Sequence, residues 1–356
     1  MTSASEVIAD EIREHAISLA RYSEHEKRKI YKMLDRIMGK LKNELQDADI
    51  GKGVSRSEKK KMEELFKQAK ETIETGYGDI SKKAEAGLKS LSELEGDWAV
   101  DMLNRSMGVK FVTTKPTTKE QLSAIAGETM IQGAPSKEWW SRQSEKLTNG
   151  FKDQIRMGWM QGESLENLMK RLTGGKDEDG NPVFDLKRGT RRGAEAVIRT
   201  SVQAVANEAR MLVYKDNADI FEGLQWVSTL DTRTTIECAA LDGLVWDLNG
   251  NPIGHDMMLI PPPRHWNCRS VLVPVPKSFR DMGIDLDEFP KSTRASIDGQ
   301  VPESKTFATW IKGKPDGYSE KVFGKTRADL WKAGKISIRD MVDQRGRPLP
   351  LSALRS

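Results

Sequence analysis

Three side chains in this sequence have the types and the spacing to do chemistry together: Cys238, His265 and Cys268. His265-x-x-Cys268 brings an imidazole and a thiol across one tight turn, the usual way to build half of a zinc site. Cys238 comes earlier in the chain, and a small sheet can close the loop between them. A fourth ligand position is open to Asp231, Asp242, His255 or water. Three readings stay open on the residues alone. A structural zinc ion would staple a modest core. Two reduced, buried thiols beside a hydrogen-bonded histidine would serve as packing, since cysteine often behaves as a small buried hydrophobe. A disulfide or a catalytic use is the third, but no general base sits at a diagnostic spacing such as a His-Glu-x-x-His helix supplies. Two cysteines among 356 residues argue against a disulfide scaffold and suit a reducing compartment.

Other chemistries find less. His265 and Asn267 near a hairpin echo a ββα-metal nuclease, without a second histidine or acid close by. An ADP-ribosyltransferase reading would use Arg199, the Ser228-Thr229 strand and Glu237, but no Glu-x-Glu pair is in place. Asp177, Asp179 and Gly180 lack the spacing and the terminal glutamate of a calcium loop. Gly324-Lys325-Thr326 lacks the upstream glycine of a phosphate loop. Binding without turnover is the expectation, with a metal-dependent enzyme such as a nuclease as the alternative.

The elements that must position the cluster follow from periodicity. Ala194, Ile198, Val202, Val205, Ala209 and Leu212 make one apolar face of a helix over about 191–216, and Arg199, Gln203, Asn207 and Arg210 share a polar stripe on it. Gly223–Leu230 alternates as a strand. Asp231-Thr232-Arg233-Thr234 is rich in side chains that bond nearby backbone, and it introduces a short helix carrying Cys238. Leu244–Leu248 followed by Asn249-Gly250-Asn251-Pro252 predicts a hairpin. Pro261–Pro263 is a stiff approach to His265, and Val271, Val273 and Val275 alternate in a closing strand.

Before this stretch the chain is helical. Ile30, Leu34, Ile37, Leu41 and Leu45 form an apolar stripe. Ser55-x-x-Glu58 resembles a capping box, and Met62, Leu65, Ala69 and Ile73 continue the period. Gly76-Tyr77-Gly78 interrupts it, and Ala84, Leu88, Leu91, Leu94, Trp98 and Met102 resume it. The stripe suits packing within the chain or docking on another subunit. Lys110–Pro116 is β-like, Thr117-x-x-Glu120 caps a helix, and two further helices are expected at 136–148 and 150–172. After the sheet region, helices are expected at 306–311 and 320–333. The fold class is therefore α+β: a largely helical N-terminal half, a small antiparallel-sheet module and a basic C-terminal arm. The expected divisions are 1–110, a helical arm or bundle; 111–190, a helical connector; 191–280, the α+β core; and 281–356, the basic arm.

The central residues resemble the minor head proteins of phages, the family named after the Mu F protein and the SPP1 head morphogenesis protein. The likeness rests on Arg199-Thr200, Asn207 and Arg210, Trp226, Asp231-Thr232-Arg233-Thr234, Cys238, Leu241-Asp242-Gly243, Pro261–Pro263 and His265-x-x-Cys268-Arg269. It extends over roughly 120–350. Trp266 departs from the small residue or proline usual at its position. The resemblance implies a protein carried inside the virion head near the portal, and in the host cytoplasm during assembly. There it would bind the portal, meet major capsid or scaffold protein, and assist procapsid assembly and DNA packaging or ejection. It also implies that Arg199 and Asn207 hold the strands that follow, within a polar network that includes Asp231, Arg233, Asp242 and Arg269.

Net charge is only +4, but it is uneven. Residues 301–356 hold twelve Lys and Arg against six Asp and Glu. Lys312, Lys314, Lys325, Arg327, Lys332, Lys335, Arg345 and Arg347 are the candidates for contacting packaged double-stranded DNA through its phosphates, without base readout. No apolar run approaches the ~20 residues needed to cross a bilayer, and the opening MTSASEVIADEIREH lacks the pattern of a secretory leader, so no membrane partner is expected.

Overall fold

The computed structural model describes residues 4–51, 55–106, 118–176, 179–278, 293–296, 299–302, 305–315 and 317–354. The β-like segment expected at Lys110–Pro116, with Thr117 and Asp177, lies outside them. Among the described residues, no helix is long and apolar enough to cross a membrane.

Two helices open the chain, α1 (Ala4–Asp47) and α2 (Arg56–Ser106). Ser55 caps α2 by accepting from the Glu58 amide at 3.1 Å, while the Glu58 carboxylate reaches back to the Gly51 amide at 2.5 Å. The expected interruption at Gly76–Gly78 is absent, and α2 runs straight through it. A Cβ on Gly76 would meet the Ile37 side chain at 2.5 Å, so this glycine permits a close approach of α1 and does not end a helix. A ten-residue helix, α3 (Lys119–Glu128), follows. Its cap is Thr118, one residue later than expected, with Thr118 Oγ1 accepting from the Gln121 amide and the Gln121 side chain answering the Thr118 amide.

The short pair β1 (Met130–Ile131) and β2 (Ala134–Pro135) leads into α4 (Ser136–Met160) and α5 (Leu165–Thr173). The break expected near residue 149 falls instead at Gln161–Ser164. Gly150 lies inside α4, and a Cβ there would lie 2.8 Å from the Leu186 side chain. Then come α6 (Leu186–Asp216), β3 (Phe221–Val227), α7 (Ile236–Leu241), β4 (Val245–Trp246), β5 (Pro252–Ile253) and β6 (Val271–Pro276). These four strands form one antiparallel sheet in the order β5-β4-β3-β6. Gly250, with φ at +89°, turns the β4–β5 hairpin as the Asn-Gly signal predicts. A separate pair, β7 (Thr293–Ser296) and β8 (Gly299–Pro302), precedes α8 (Phe307–Lys312), α9 (Tyr318–Phe323) and α10 (Lys325–Lys332). The helix expected over 320–333 is thus two helices, divided at Gly324 with φ at +75°.

The chain divides into two compact units whose ranges interleave: 1–20, 91–125 and 203–356 in the first, 21–90 and 126–202 in the second. The consecutive divisions expected from the sequence do not map onto them one to one. The second unit buries Leu34, Leu41, Ile73, Tyr77, Trp140, Phe151 and Ile155. The first has a core built on the sheet, where Trp226 and Trp246 are wholly buried. The region expected as an arm takes part in that core through Phe307, Trp310, Ile311, Phe323, Ile338 and Met341, as do Ile8 and Ile12 of α1.

Candidate metal centre and its polar frame

Cys238 sits in the first turn of α7, whose cap is Thr235. His265 and Cys268 stand on the loop after the proline run, where the Cys268 amide bonds the His265 carbonyl at 3.1 Å and Asn267 adopts φ of +60°. The three ligand atoms lie within 4.8 Å of one another. Cys238 Sγ is 3.3 Å from His265 Nε2 and 3.8 Å from Cys268 Sγ. Both thiols are buried and unbridged. His265 Nδ1 faces the Trp266 carbonyl at 3.0 Å, which puts the proton on Nδ1 and turns the Nε2 lone pair toward the sulfurs.

These separations suit a tetrahedral ion. With Zn–S of about 2.3 Å and Zn–N of about 2.0–2.1 Å, tetrahedral angles place two sulfurs ~3.8 Å apart and sulfur and nitrogen ~3.6 Å apart. The electrostatics agree. A hydrogen bond to Cys268, with burial, pushes the Cys238 thiol up, and the same bond, helped by His265, pulls Cys268 down. The pair therefore favours one thiolate. Burial works against the charge on His265, but Cys268 outweighs it and holds the imidazole above its ordinary value.

None of the three candidate fourth ligands joins the cluster. The Asp231 carboxylate takes both arms of Arg269, at 2.6 and 2.7 Å, and also accepts from the Arg233 amide at 2.9 Å. Burial opposes its ionisation, but Arg269 overcomes this and holds the carboxyl below its usual range. Asp242 accepts from the Ser228 amide at 2.7 Å and from the Phe307 amide at 2.6 Å, which ties the end of α7 to β3 and to α8. His255 bridges the Val245 carbonyl and the Met257 amide, and burial lowers its pKa below the ordinary value.

The expected polar network splits. Arg269, Asp231 and the Arg233 backbone belong together around the turn before α7; the Arg233 side chain reaches Asp231 at 3.6 Å and is mostly exposed. Asn207 donates to the Pro262 carbonyl at 3.3 Å and accepts from Arg210 at 2.9 Å, so it holds the proline approach to His265. Arg199 does something else. Its guanidinium meets Glu24 of α1 at 2.6 Å and Glu195 at 2.9 Å, and among the described residues no strand receives it. Eight residues separate Arg199 from Asn207, about two helical turns, so one stripe serves different neighbours.

The sequence names Ser228, Gln203 and Arg210 but does not foretell their contacts at the centre. Ser228 Oγ accepts from the Trp226 indole at 2.9 Å and donates to the Cys238 carbonyl at 2.7 Å. Gln203 donates to the Ser270 carbonyl at 3.2 Å. Arg210, only 1% exposed, lies 3.7 Å from Glu95, which itself meets His15 at 2.5 Å. Buried serines and a buried arginine leave no mark in a hydrophobic pattern. The helical spacing of Arg210 on the Asn207 stripe, and its place in the family pattern, were the available clues.

Of the eight tail cations, four are engaged. Lys314 lies over the rings of Trp310 and Tyr318, Arg327 donates to the Leu349 carbonyl at 2.7 Å, Lys332 is 3.8 Å from Glu320, and Arg347 is 2.8 Å from Asp343. Lys312, Lys325, Lys335 and Arg345 are exposed.

A long helix leading to a small antiparallel sheet, with a thiol–imidazole cluster whose loops are held by side-chain hydrogen bonds to backbone, defines an α+β module. Residues 149–273 match the family model described as Phage Mu protein F like protein. The matched segment contains Cys238, His265, Cys268 and the Asn207 and Asp231 contacts, and is narrower than the stretch over which the sequence resembles that family. No curated protein and no solved structure gives a significant match.

Proposed function

We propose that this protein is a minor head protein of a tailed phage, which binds the portal from inside the head and assists procapsid assembly and DNA packaging or ejection. The observation that carries the reading is the Mu F-like match over the module that holds the thiol–imidazole cluster. The module's polar side chains point at its own backbone, as a rigid docking element requires, and a structural zinc held by Cys238, His265 and Cys268 would add to that rigidity. Water is the ligand that completes such a site once Asp231, Asp242 and His255 are committed elsewhere. The exposed cations Lys312, Lys325, Lys335 and Arg345 are the part of the C-terminal region suited to packaged DNA. They are tested by substitution, because deleting residues 301–356 would also remove Phe307, Trp310 and Met341 from the core.

The test is co-expression with a portal protein from the same genome. Recovery of the chain with intact portal rings is expected. Rings that form normally without it, at concentrations where both partners are folded, would overturn the reading. DNA conversion by the wild type in Mg²⁺ or Zn²⁺ that vanishes in folded His265→Ala would replace it with the enzyme alternative.

A further inference from the structure

A second concentration of unneutralised charge among the described residues is in the helical unit. Lys29, Lys32, Arg36 and Lys40 follow one another on α1 at steps of three and four, so they share one face. Lys82 and Lys83 stand on the facing stretch of α2. Between the two helices runs an open groove of about 530 Å³, lined by Lys29, Lys32, Arg36, Asp79, Lys82 and Lys83 with Met33 and Ala86. It continues into a second hollow of about 420 Å³ that adds Lys40 and Glu71 and shares Arg36 and Asp79. Six cations thus face two carboxylates. Lys29 meets Glu26 at 2.7 Å, and among the described residues none of the other five cations has a carboxylate at ion-pair distance. Lys32, Arg36, Lys40, Lys82 and Lys83 are all exposed.

We propose that this groove is a docking site for the phosphate backbone of duplex DNA. The lining chooses among polyanions. A protein partner would be anchored by aromatic or aliphatic groups entering an apolar pocket, and Met33 and Ala86 offer little of that. Single-stranded nucleic acid is held by bases stacked on aromatic rings, and no aromatic residue lines the groove. What remains is a track of flexible cations. Residues 29–40 rise about 16 Å along α1, which spans roughly five base-pair steps of a duplex strand. Such contacts position a duplex and read no sequence. The site stands on charge and geometry alone and does not depend on portal binding. It is also separate in the chain from the exposed tail lysines, which are the competing location.

The experiment measures binding of a 30-base-pair duplex to the full chain by anisotropy from 0.05 to 0.3 M salt. In the triple variant Lys32→Gln, Arg36→Gln, Lys83→Gln, the slope of log affinity against log salt should fall by about 2.7, at ~0.9 for each phosphate no longer neutralised, and affinity at 0.1 M salt should drop by more than roughly tenfold. The charge-keeping triple Lys32→Arg, Arg36→Lys, Lys83→Arg should bind like the wild type. These positions are exposed, so circular dichroism should be unchanged. Unaltered slope and affinity in the Gln triple would overturn the proposal. So would loss of binding confined to a Lys312→Gln, Lys325→Gln, Lys335→Gln variant. Tighter binding of a poly-glutamate peptide than of the duplex, abolished in the Gln triple, would assign the groove to an acidic protein partner instead.

Discussion

Asp242 is the carboxylate whose removal should cost most. It is 8% exposed, and its two oxygens take the Ser228 amide at the end of β3 and the Phe307 amide at the start of α8. Asp242→Ala leaves two buried N–H donors without an acceptor. Each orphaned donor costs about 1–3 kcal/mol, and bonds to an ionised acceptor lie toward the upper part of that range. A loss of about 3–4 kcal/mol is expected, a large share of the 5–15 kcal/mol typical of a folded domain. Asp242→Asn keeps the shape and one carbonyl acceptor, so it should lose about 1–2 kcal/mol by the same count. Urea unfolding followed by tryptophan fluorescence reads the effect directly, because Trp226, Trp246 and Trp310 share this core. The midpoint should fall with little change in slope. If Asp242→Ala costs less than about 1 kcal/mol, the two amides have other partners and the tie between α7 and α8 is not what holds the C-terminal helices.

Three further outcomes follow from the same geometry. Asp231 has a folded pKa below its unfolded value, so its stabilisation is present above about pH 3.9 and is lost as pH falls through the lower folded value; unfolding midpoints of Asp231→Asn and wild type should therefore differ at pH 7 and converge below pH 4. Gly223→Ala should be destabilising by about 3 kcal/mol or fail to fold, since the new Cβ would lie 2.3 Å from the Trp246 carbonyl oxygen, and thermal melting will show it. Anaerobic titration with Co²⁺ should give thiolate-to-metal charge-transfer absorption at one equivalent, lost in Cys238→Ser and in Cys268→Ser; an absence of such bands in the reduced wild type would reduce the cluster to packing.

The sequence was most readable where chemistry and periodicity coincide. Val271, Val273 and Val275 fall in a strand as their alternation suggests, although Leu272 on the other face is buried too, and His265-x-x-Cys268 needs nothing beyond a turn to converge. It was least readable at glycine. Gly76 and Gly150 look like helix breaks, because a glycine costs a helix about 1 kcal/mol. Both are places where a neighbouring side chain, Ile37 or Leu186, occupies the space a Cβ would need. That use depends on a partner far along the chain and leaves no local trace. Asp242 misleads for a related reason. A carboxylate near two thiols suggests a ligand, and only the fold reveals the two amides that claim it first. Arg199 takes its expected role from its family position, but Glu24 of α1, beyond the segment that the family model matches, determines what it binds.

The core around the sheet gathers Ile8 and Ile12 with Met341 and Val342, residues separated by nearly the whole chain. A ribosome adding about 5–20 residues each second needs roughly 15–65 s to pass from the first pair to the second. During that interval the start of α1 shares its core only with the end of α2, while the intervening unit, whose range ends at residue 202, has all its own parts. Synthesis thus delivers a finished helical body first and a sheet body last. Cys238 and Cys268 belong to the core of that last body, so their burial is completed late in synthesis.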